Sequence, residues 1–195
     1  MKFKIFLSSA MREFENERKY IKTEIEKDVV LNNFFEVFSF EDTSASGKNP
    51  VEIYSHEVVN SDVCIGLIGS DYGNILESGI SPTEYEYDLF NRAHNDALVF
   101  VKNRETRDDE VYEFIDKIGD EHTYQTFNDL YELFDEVRKS LIDFLESDIS
   151  KITISQYMKL FDVSRNTAIS DLNDLVSKRL VRKFKDAKTN VYKIL

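Results

Sequence analysis

With 195 residues, of which 42% are hydrophobic and 13% aromatic, the chain is long enough and apolar enough to bury a core, which excludes a disordered or low-complexity protein. It carries a formal net charge of −12, and its single cysteine excludes an intrachain disulfide framework. The sequence holds no apolar run near the ~20 residues that span a bilayer, so we expect a cytoplasmic protein without membrane contact.

The charge is divided unevenly along the chain. Residues 151–195 hold ten Lys and Arg residues and four Asp and Glu residues, whereas residues 1–150 hold 15 and 33. Such a difference predicts two units with different partners. The acidic unit would repel nucleic acid, while the basic unit would attract it.

Apolar and amphipathic segments alternate from residue 2 to residue 127. The apolar segments predict strands at residues 2–7, 34–40, 63–68, 97–101 and 123–127. The amphipathic segments predict helices at residues 10–28, 50–60, 82–95 and 108–119. This alternation indicates a flavodoxin-like α/β fold, a mainly parallel sheet of about five strands with helices on both faces.

The stretch of residues 63–90 predicts a ligand site. Its apolar strand ends at Gly69 and Ser70, and a small, polar loop leads to Ser81-Pro82-Thr83-Glu84, which opens a helix. Open α/β sheets bind ligands at loops that follow the carboxyl ends of their strands. We therefore expect a small-molecule pocket at this edge, with Glu84 or Glu86 as its acidic group.

Glu84 also has a purely structural interpretation. Ser81 at the N-cap, Pro82 at the first helical position and Glu84 at the third form the pattern of a capping box. In that case Glu84 only satisfies a backbone N–H group, and Glu86 is an ordinary surface acid. An active site and a well-capped helix both remain open.

The remaining elements form a second unit. Apolar residues at three- and four-residue spacing predict a long connecting helix at residues 128–148. It joins a first domain, residues 1–127, to a unit of residues 149–195. That unit has a helix at 153–161, a tight turn, a helix that Ser164 caps and that ends near residue 178, and a hairpin of 180–184 with 191–195.

This order of elements resembles winged helix-turn-helix domains of bacterial regulators. The matching residues are Phe161-Asp162-Val163-Ser164-Arg165-Asn166-Thr167-Ala168, Asp171-Leu172, Leu175 and Leu180-Val181. The resemblance implies that this small C-terminal winged helix binds double-stranded DNA, and because one recognition helix binds weakly, it also implies a homo-oligomer.

The start of the recognition helix would enter the major groove through Ser164, Arg165, Asn166, Thr167 and Ser170. The hairpin would contact phosphates through Lys183, Lys185 and Lys188. Asp171 and Asp174 favour the alternative, a winged helix that binds protein.

Further segments carry a second resemblance: residues 5–18 (IFLSSAMREFENER), 40–42 (FED), 44–47 (SASG), 61–63 (SDV), 66–73 (GLIGSDYG) and 81–87 (SPTEYEY). They resemble a TIR-like family of unknown function found in bacterial signalling and NTPase proteins, over about residues 3–102. The resemblance implies a flavodoxin-like fold and kinship with TIR domains and nucleoside deoxyribosyltransferases.

This kinship implies a reaction at the N-glycosidic bond of a nucleoside or nucleotide. Some of those relatives cleave or exchange an N-glycosidic bond with a glutamate near the start of the helix after a central strand, the position of Glu84 and Glu86. Such a carboxylate stabilises or attacks an oxocarbenium-like ribosyl centre. Expected ligand contacts are Ser8, Ser9, Asp42, Ser70, Tyr72 and Ser81, with helix capping by the serines and packing by Tyr72 as the alternatives.

Three functions follow from these patterns. The first is a two-domain regulator or signalling protein, in which a TIR-like domain that binds nucleotide or self-associates is coupled to a DNA-binding winged helix. The second is an N-glycosidase of NAD or a related nucleotide, such as a phage-defence effector, with the winged helix as an oligomerisation or sensing module. The third is a non-catalytic adaptor. Since neither a Cys/His zinc spacing nor a P-loop occurs in the sequence, we expect no metal and no required cofactor.

Overall fold

The computed structural model describes residues 2–38, 50–93, 97–149, 151–186 and 189–194. Its main sheet has five parallel strands: β1 Phe3–Ser9, β2 Phe35–Phe38, β3 Val63–Ile68, β4 Leu98–Lys102 and β5 Gln125–Phe127. Their order in the sheet is β2-β1-β3-β4-β5, the order of flavodoxin-like folds. The predicted α/β fold with a five-stranded parallel sheet is therefore confirmed.

Helices cover both faces of this sheet. They are α1 Glu15–Lys27, α2 Leu31–Phe34, α3 Pro50–Val59, α4 Pro82–Ala93, α5 Asp109–Glu121 and α6 Leu130–Ile149. Alternate residues of β1 point to opposite faces of the sheet, because side chains alternate along a strand. Ile5 and Leu7 belong to the apolar cluster with α1 and α6, whereas Phe6 belongs to the cluster with α3, α4 and α5.

The first helix begins later than the sequence predicts. Helix α1 starts at Glu15 rather than near Ala10, and Ser9 is the last residue of β1 instead of a helix cap. The reason is that β1 extends by two residues, pairing Ser9 with Leu67 of β3. A turn then follows, in which the backbone N–H of Glu13 donates to the carbonyl of Ala10 over 3.1 Å.

The short helix α2 was not predicted either, since four residues are too few for a periodic pattern. It starts where the Asp28 carboxylate accepts the backbone N–H groups of Val30 and Leu31, at 2.8 and 2.9 Å. Arg138 of α6 donates to the other oxygen of Asp28, at 2.8 Å, so a contact far along the chain holds this turn.

The C-terminal residues form a small sheet with two further helices. Its elements are β6 Ile152–Thr153, α7 Ile154–Leu160, α8 Arg165–Ser177, β7 Val181–Asp186 and β8 Thr189–Ile194. The three strands are antiparallel in the order β6-β8-β7. The predicted helix after Ser164 and the predicted hairpin are both present, and the Ser164 hydroxyl accepts the N–H of Thr167 at 3.2 Å.

The C-terminal unit packs against the start of the main sheet. The ring of Phe3, which opens β1, lies 5.3 Å from Phe144 of α6 and 5.2 Å from Phe161, both in edge-to-face contact, an arrangement that aromatic pairs favour. One apolar cluster includes residues of both units. The predicted boundaries at residues 127 and 149 stay predictions. Among the described residues, no helix has the length and apolar character needed to cross a membrane.

Candidate active site

A cavity of about 410 Å³ opens at the carboxyl edge of the sheet. Its walls come from the end of β1 and the turn after it, from the loop after β3, and from the first turns of α4. Strands β1 and β3 are neighbours at the point where the strand order reverses, which is where open α/β sheets bind ligands. The volume lies within the range of ~300–1,000 Å³ of small-molecule sites.

Glu86 is the buried acid of this cavity. Helix α4 places it on its inner side, where it is 7% exposed, and the Ser8 hydroxyl donates a 2.5 Å hydrogen bond to its carboxylate. Burial raises the pKa of Glu86 to about 7, although the Ser8 hydrogen bond and the charge of Arg18 oppose this rise. A carboxyl group that titrates near neutral pH inside a cavity is a feature of functional sites.

Arg18 holds the end of β1 beside Glu86. It is 4% exposed and donates to the carbonyl of Leu7 at 2.7 Å and to the Ser9 hydroxyl at 3.3 Å. Sequence reasoning missed this residue. A signal was present, because Arg18 lies between Phe14 and Ile21 on the apolar stripe of α1, where an arginine needs a buried partner.

Glu84 does not line the described part of the cavity. Its carboxylate accepts the Tyr72 hydroxyl at 2.5 Å and the Lys117 ammonium at 2.9 Å. Ser81 is 1% exposed, and its hydroxyl accepts the Glu84 N–H at 3.2 Å. One half of the capping pattern is therefore formed, while the Glu84 carboxylate serves Tyr72 and Lys117.

Tyr72 does line the cavity. Its backbone N–H donates to Asp108 at 2.9 Å, and its hydroxyl is held by Glu84. The pKa of Tyr72 is raised, first by burial and then by this carboxylate. Glu84 thus holds the ring of Tyr72 in the cavity wall from outside.

The loop after β3 is bound by a carboxylate of the chain itself. Glu13 accepts the backbone N–H of Ser70 at 3.0 Å and that of Asp71 at 3.1 Å. Gly69 makes this approach possible, because a Cβ atom there would collide with the Glu13 carboxylate. Arg104 lies 3.6 Å from Glu13 and balances its charge. Glu13 therefore joins the two loops that frame the cavity.

The predicted site residues divide into groups, and their roles stay predictions. The described lining of the cavity includes Ser9, Tyr72 and Glu86, and Ser8 lies behind it, hydrogen-bonded to Glu86. Beside it, outside the described lining, lie Ser70, Ser81 and Glu84. Exposed on the C-terminal unit are Ser164, Arg165, Asn166, Thr167, Ser170, Lys183 and Lys185. Outside the described residues are Asp42 and Lys188.

Comparisons with known proteins give a family. No curated protein matches the sequence. A solved structure of the CMP N-glycosidase BcmB from Clostridium botulinum is 16% identical and matches with a TM-score of 0.48, covering 70% of this chain and 98% of that chain. Oxidised flavodoxin 1 from Bacillus cereus is 14% identical, with a TM-score of 0.34 and coverage of 72% and 95%. Residues 4–142, well over half of the chain, match the domain of unknown function DUF4062, and the chain belongs to that family.

Proposed function

We propose that the α/β domain binds a nucleoside or nucleotide in the cavity and cleaves its N-glycosidic bond, with Glu86 as the catalytic carboxylate. One observation carries this proposal: an acid that is 7% exposed lines a cavity of about 410 Å³ and has a pKa raised to about 7. Burying a carboxyl group is costly. A buried carboxyl group with a raised pKa that faces a cavity is characteristic of functional sites.

The surroundings of Glu86 suit a negatively charged role. Ser8 donates to the carboxylate, and the positive charge of Arg18 favours its ionised form. As the bond between C1′ and the base nitrogen breaks, the electron pair leaves with the base and C1′ becomes positive. Ionised Glu86 stabilises or attacks that carbon. Water then supplies the hydroxyl group to C1′. Its proton goes to the departing anion of a nucleobase, or to solvent when neutral nicotinamide leaves NAD, and the products are the free base and the sugar or its phosphate.

The cavity also has surfaces for the base. Tyr72 and Tyr54 line it together with Phe6, and aromatic rings bind flat heterocycles through stacking or edge contacts. Glu84 and Asp108 hold Tyr72 in place. A cavity of this size argues against the non-catalytic adaptor, for which we expect a pocket too shallow or too crowded for a nucleotide.

Base release tests the proposal. Purified protein is incubated with NAD, nucleosides and nucleotides, and the free base is measured by chromatography between pH 5 and pH 9. We expect release from at least one of them, with kcat/KM rising as the pH passes about 7, because Glu86 of the free protein must ionise. An absence of release, even at high protein concentration, would count against the proposal. A rate that falls as the pH rises through 7 would mean that Glu86 acts in its protonated form, which contradicts the ionised form assigned here.

A second candidate function is DNA binding by the C-terminal unit as a homo-oligomer, which the resemblance to winged helix-turn-helix domains implies. It is supported by the order of α6, β6, α7, α8 and the β7–β8 hairpin. The first three residues of α8 are exposed, and its first turn carries no acid. Lys183 and Lys185 are exposed on β7. In this function the α/β domain supplies a nucleotide-dependent signal.

Fluorescence anisotropy with duplex DNA tests this second function. We expect salt-sensitive binding, and changing Lys183 and Lys185 together to Gln should reduce the slope of log K against log salt by about 2, roughly one for each lost phosphate contact. Lys27 and Lys139 have side chains that are each 65% exposed on α1 and α6. Changing them to Gln is the matched control and should leave the slope unchanged. No binding at micromolar protein would exclude this function.

A further inference from the structure

The loop after β3 offers its ligand few backbone donors. The N–H groups of four consecutive residues, from Ser70 to Gly73, each donate to a carboxylate of the chain: two to Glu13, one to Asp108 and one to the Asp71 side chain. In many doubly wound folds a loop of this kind binds a phosphate through its N–H groups. Here that anion position is already filled by protein carboxylates, so an anionic ligand group needs another partner.

Two arginines line the cavity, and they differ in what they bind. Arg18 is buried and holds the end of β1 through Leu7 and Ser9. Arg12 is exposed, and it makes no hydrogen bond or ion pair with any residue that the structure describes. Residues 1–150 contain 33 acidic and 15 basic residues. In such an acidic domain, a guanidinium group that pairs with none of the described carboxylates is available for a ligand anion.

The backbone of Arg12 is held in place by contacts of its neighbours in the chain. It lies in the turn between β1 and α1, where the next residue, Glu13, is bound to the loop after β3. The turn itself is closed by the N–H groups of Glu13 and Phe14, which donate to the Ala10 carbonyl at 3.1 Å. Because the backbone of this turn is anchored, the ordering cost of binding is confined to the Arg12 side chain itself.

We infer that Arg12 binds a phosphate group of the ligand, so that the cavity selects nucleotides over nucleosides. The inference rests on the proposed function, because it places C1′ beside Glu86. The 5′-phosphate lies at the far end of the ribose from C1′. With C1′ at buried Glu86, this end of the ligand lies nearer the mouth of the same cavity, which exposed Arg12 also lines. The planar guanidinium group matches two phosphate oxygens at once.

Calorimetry tests the inference without turnover. The Glu86→Gln protein is titrated with adenosine, cytidine, guanosine and uridine and with their 5′-monophosphates. For the best-bound pair we expect the monophosphate to bind about tenfold or more tightly than the nucleoside, as one charge-assisted pair allows. Adding Arg12→Gln should remove this difference and leave nucleoside affinity unchanged. Adding Arg92→Gln is the matched control, since Arg92 is 79% exposed on the same helix as Glu86 and does not line the described cavity.

The outcomes separate the inference from the function on which it rests. Equal binding of nucleoside and monophosphate, or a preference that survives Arg12→Gln, would overturn the inference while leaving the N-glycosidase proposal in place. Absence of binding by all four pairs, together with absence of base release by the unmodified protein, would overturn both.

Discussion

Glu86→Gln is expected to lower kcat for base release by about a thousandfold or more, the scale seen when a group that touches the reacting atoms is removed. Glutamine keeps the volume of the side chain and can still accept the Ser8 hydroxyl at the position of the present 2.5 Å hydrogen bond. What it loses is the negative charge that C1′ needs as the base departs. Nucleotide affinity, measured by calorimetry, should change much less than kcat.

Glu84→Gln is the matched control for this experiment, because Glu84 lies two residues away on the same helix and outside the described lining of the cavity. Its carboxylate holds Tyr72 and Lys117, so we expect a higher KM through a less firmly held Tyr72 ring, with kcat kept within about tenfold. If Glu84→Gln abolished base release as completely as Glu86→Gln, the assignment of the catalytic carboxylate to Glu86 would be wrong.

Glu84 and Glu86 show which part of the candidate site could be predicted from the sequence. Two residues along a helix correspond to a rotation of about 200° around its axis. Glu84 and Glu86 therefore lie on nearly opposite sides of the helix and cannot share one environment. Sequence patterns predicted the helix and both candidates, but not which of them faces inward. Glu86 lies on the buried face of α4, one turn before Phe90, but the hydrogen bond that holds its carboxylate comes from Ser8, 78 residues away along the chain. Contacts of this range leave no periodic signal in a single sequence.

The strands were predictable for a different reason. All six residues of β3 are buried, as in a strand covered on both faces, and such strands appear as continuous apolar runs. The start of α1 was not predictable, because the residues between β1 and α1 are set by long-range partners. Glu13 binds a loop 57 residues further along. Arg18 lies on the apolar stripe of α1, so its burial could have been predicted, but its partners Leu7 and Ser9 could not.

Helix α6 contacts both parts of the chain. Its Arg138 binds Asp28 of the α/β domain at 2.8 Å, and its Phe144 packs against Phe3. The family match ends at residue 142, inside α6 and beyond the predicted boundary at residue 127. The helix therefore packs on the α/β domain and also leads into the C-terminal unit.

Glu86→Gln should also stabilise the protein at alkaline pH, by an amount that depends on pH. The pKa of Glu86 is raised from 4.5 to about 7, so the folded state holds a proton that the unfolded state releases between these values. The contribution of Glu86 to stability is fully present below pH 4.5 and is lost as the pH rises through about 7. At roughly 1.4 kcal/mol per pKa unit, the loss is about 3 kcal/mol.

Urea unfolding at pH 4.5 and pH 8 measures this effect. The free energy of unfolding of Glu86→Gln, relative to the unmodified protein, should rise by about 3 kcal/mol between the two conditions. Glu113→Gln, on an exposed position of α5, should give a difference that stays the same within about 0.5 kcal/mol. A Glu86 difference that is equally independent of pH would mean that the carboxyl group is solvated. In that case the cavity would have no acid with a pKa near neutrality, and the observation on which the proposed chemistry depends would be lost.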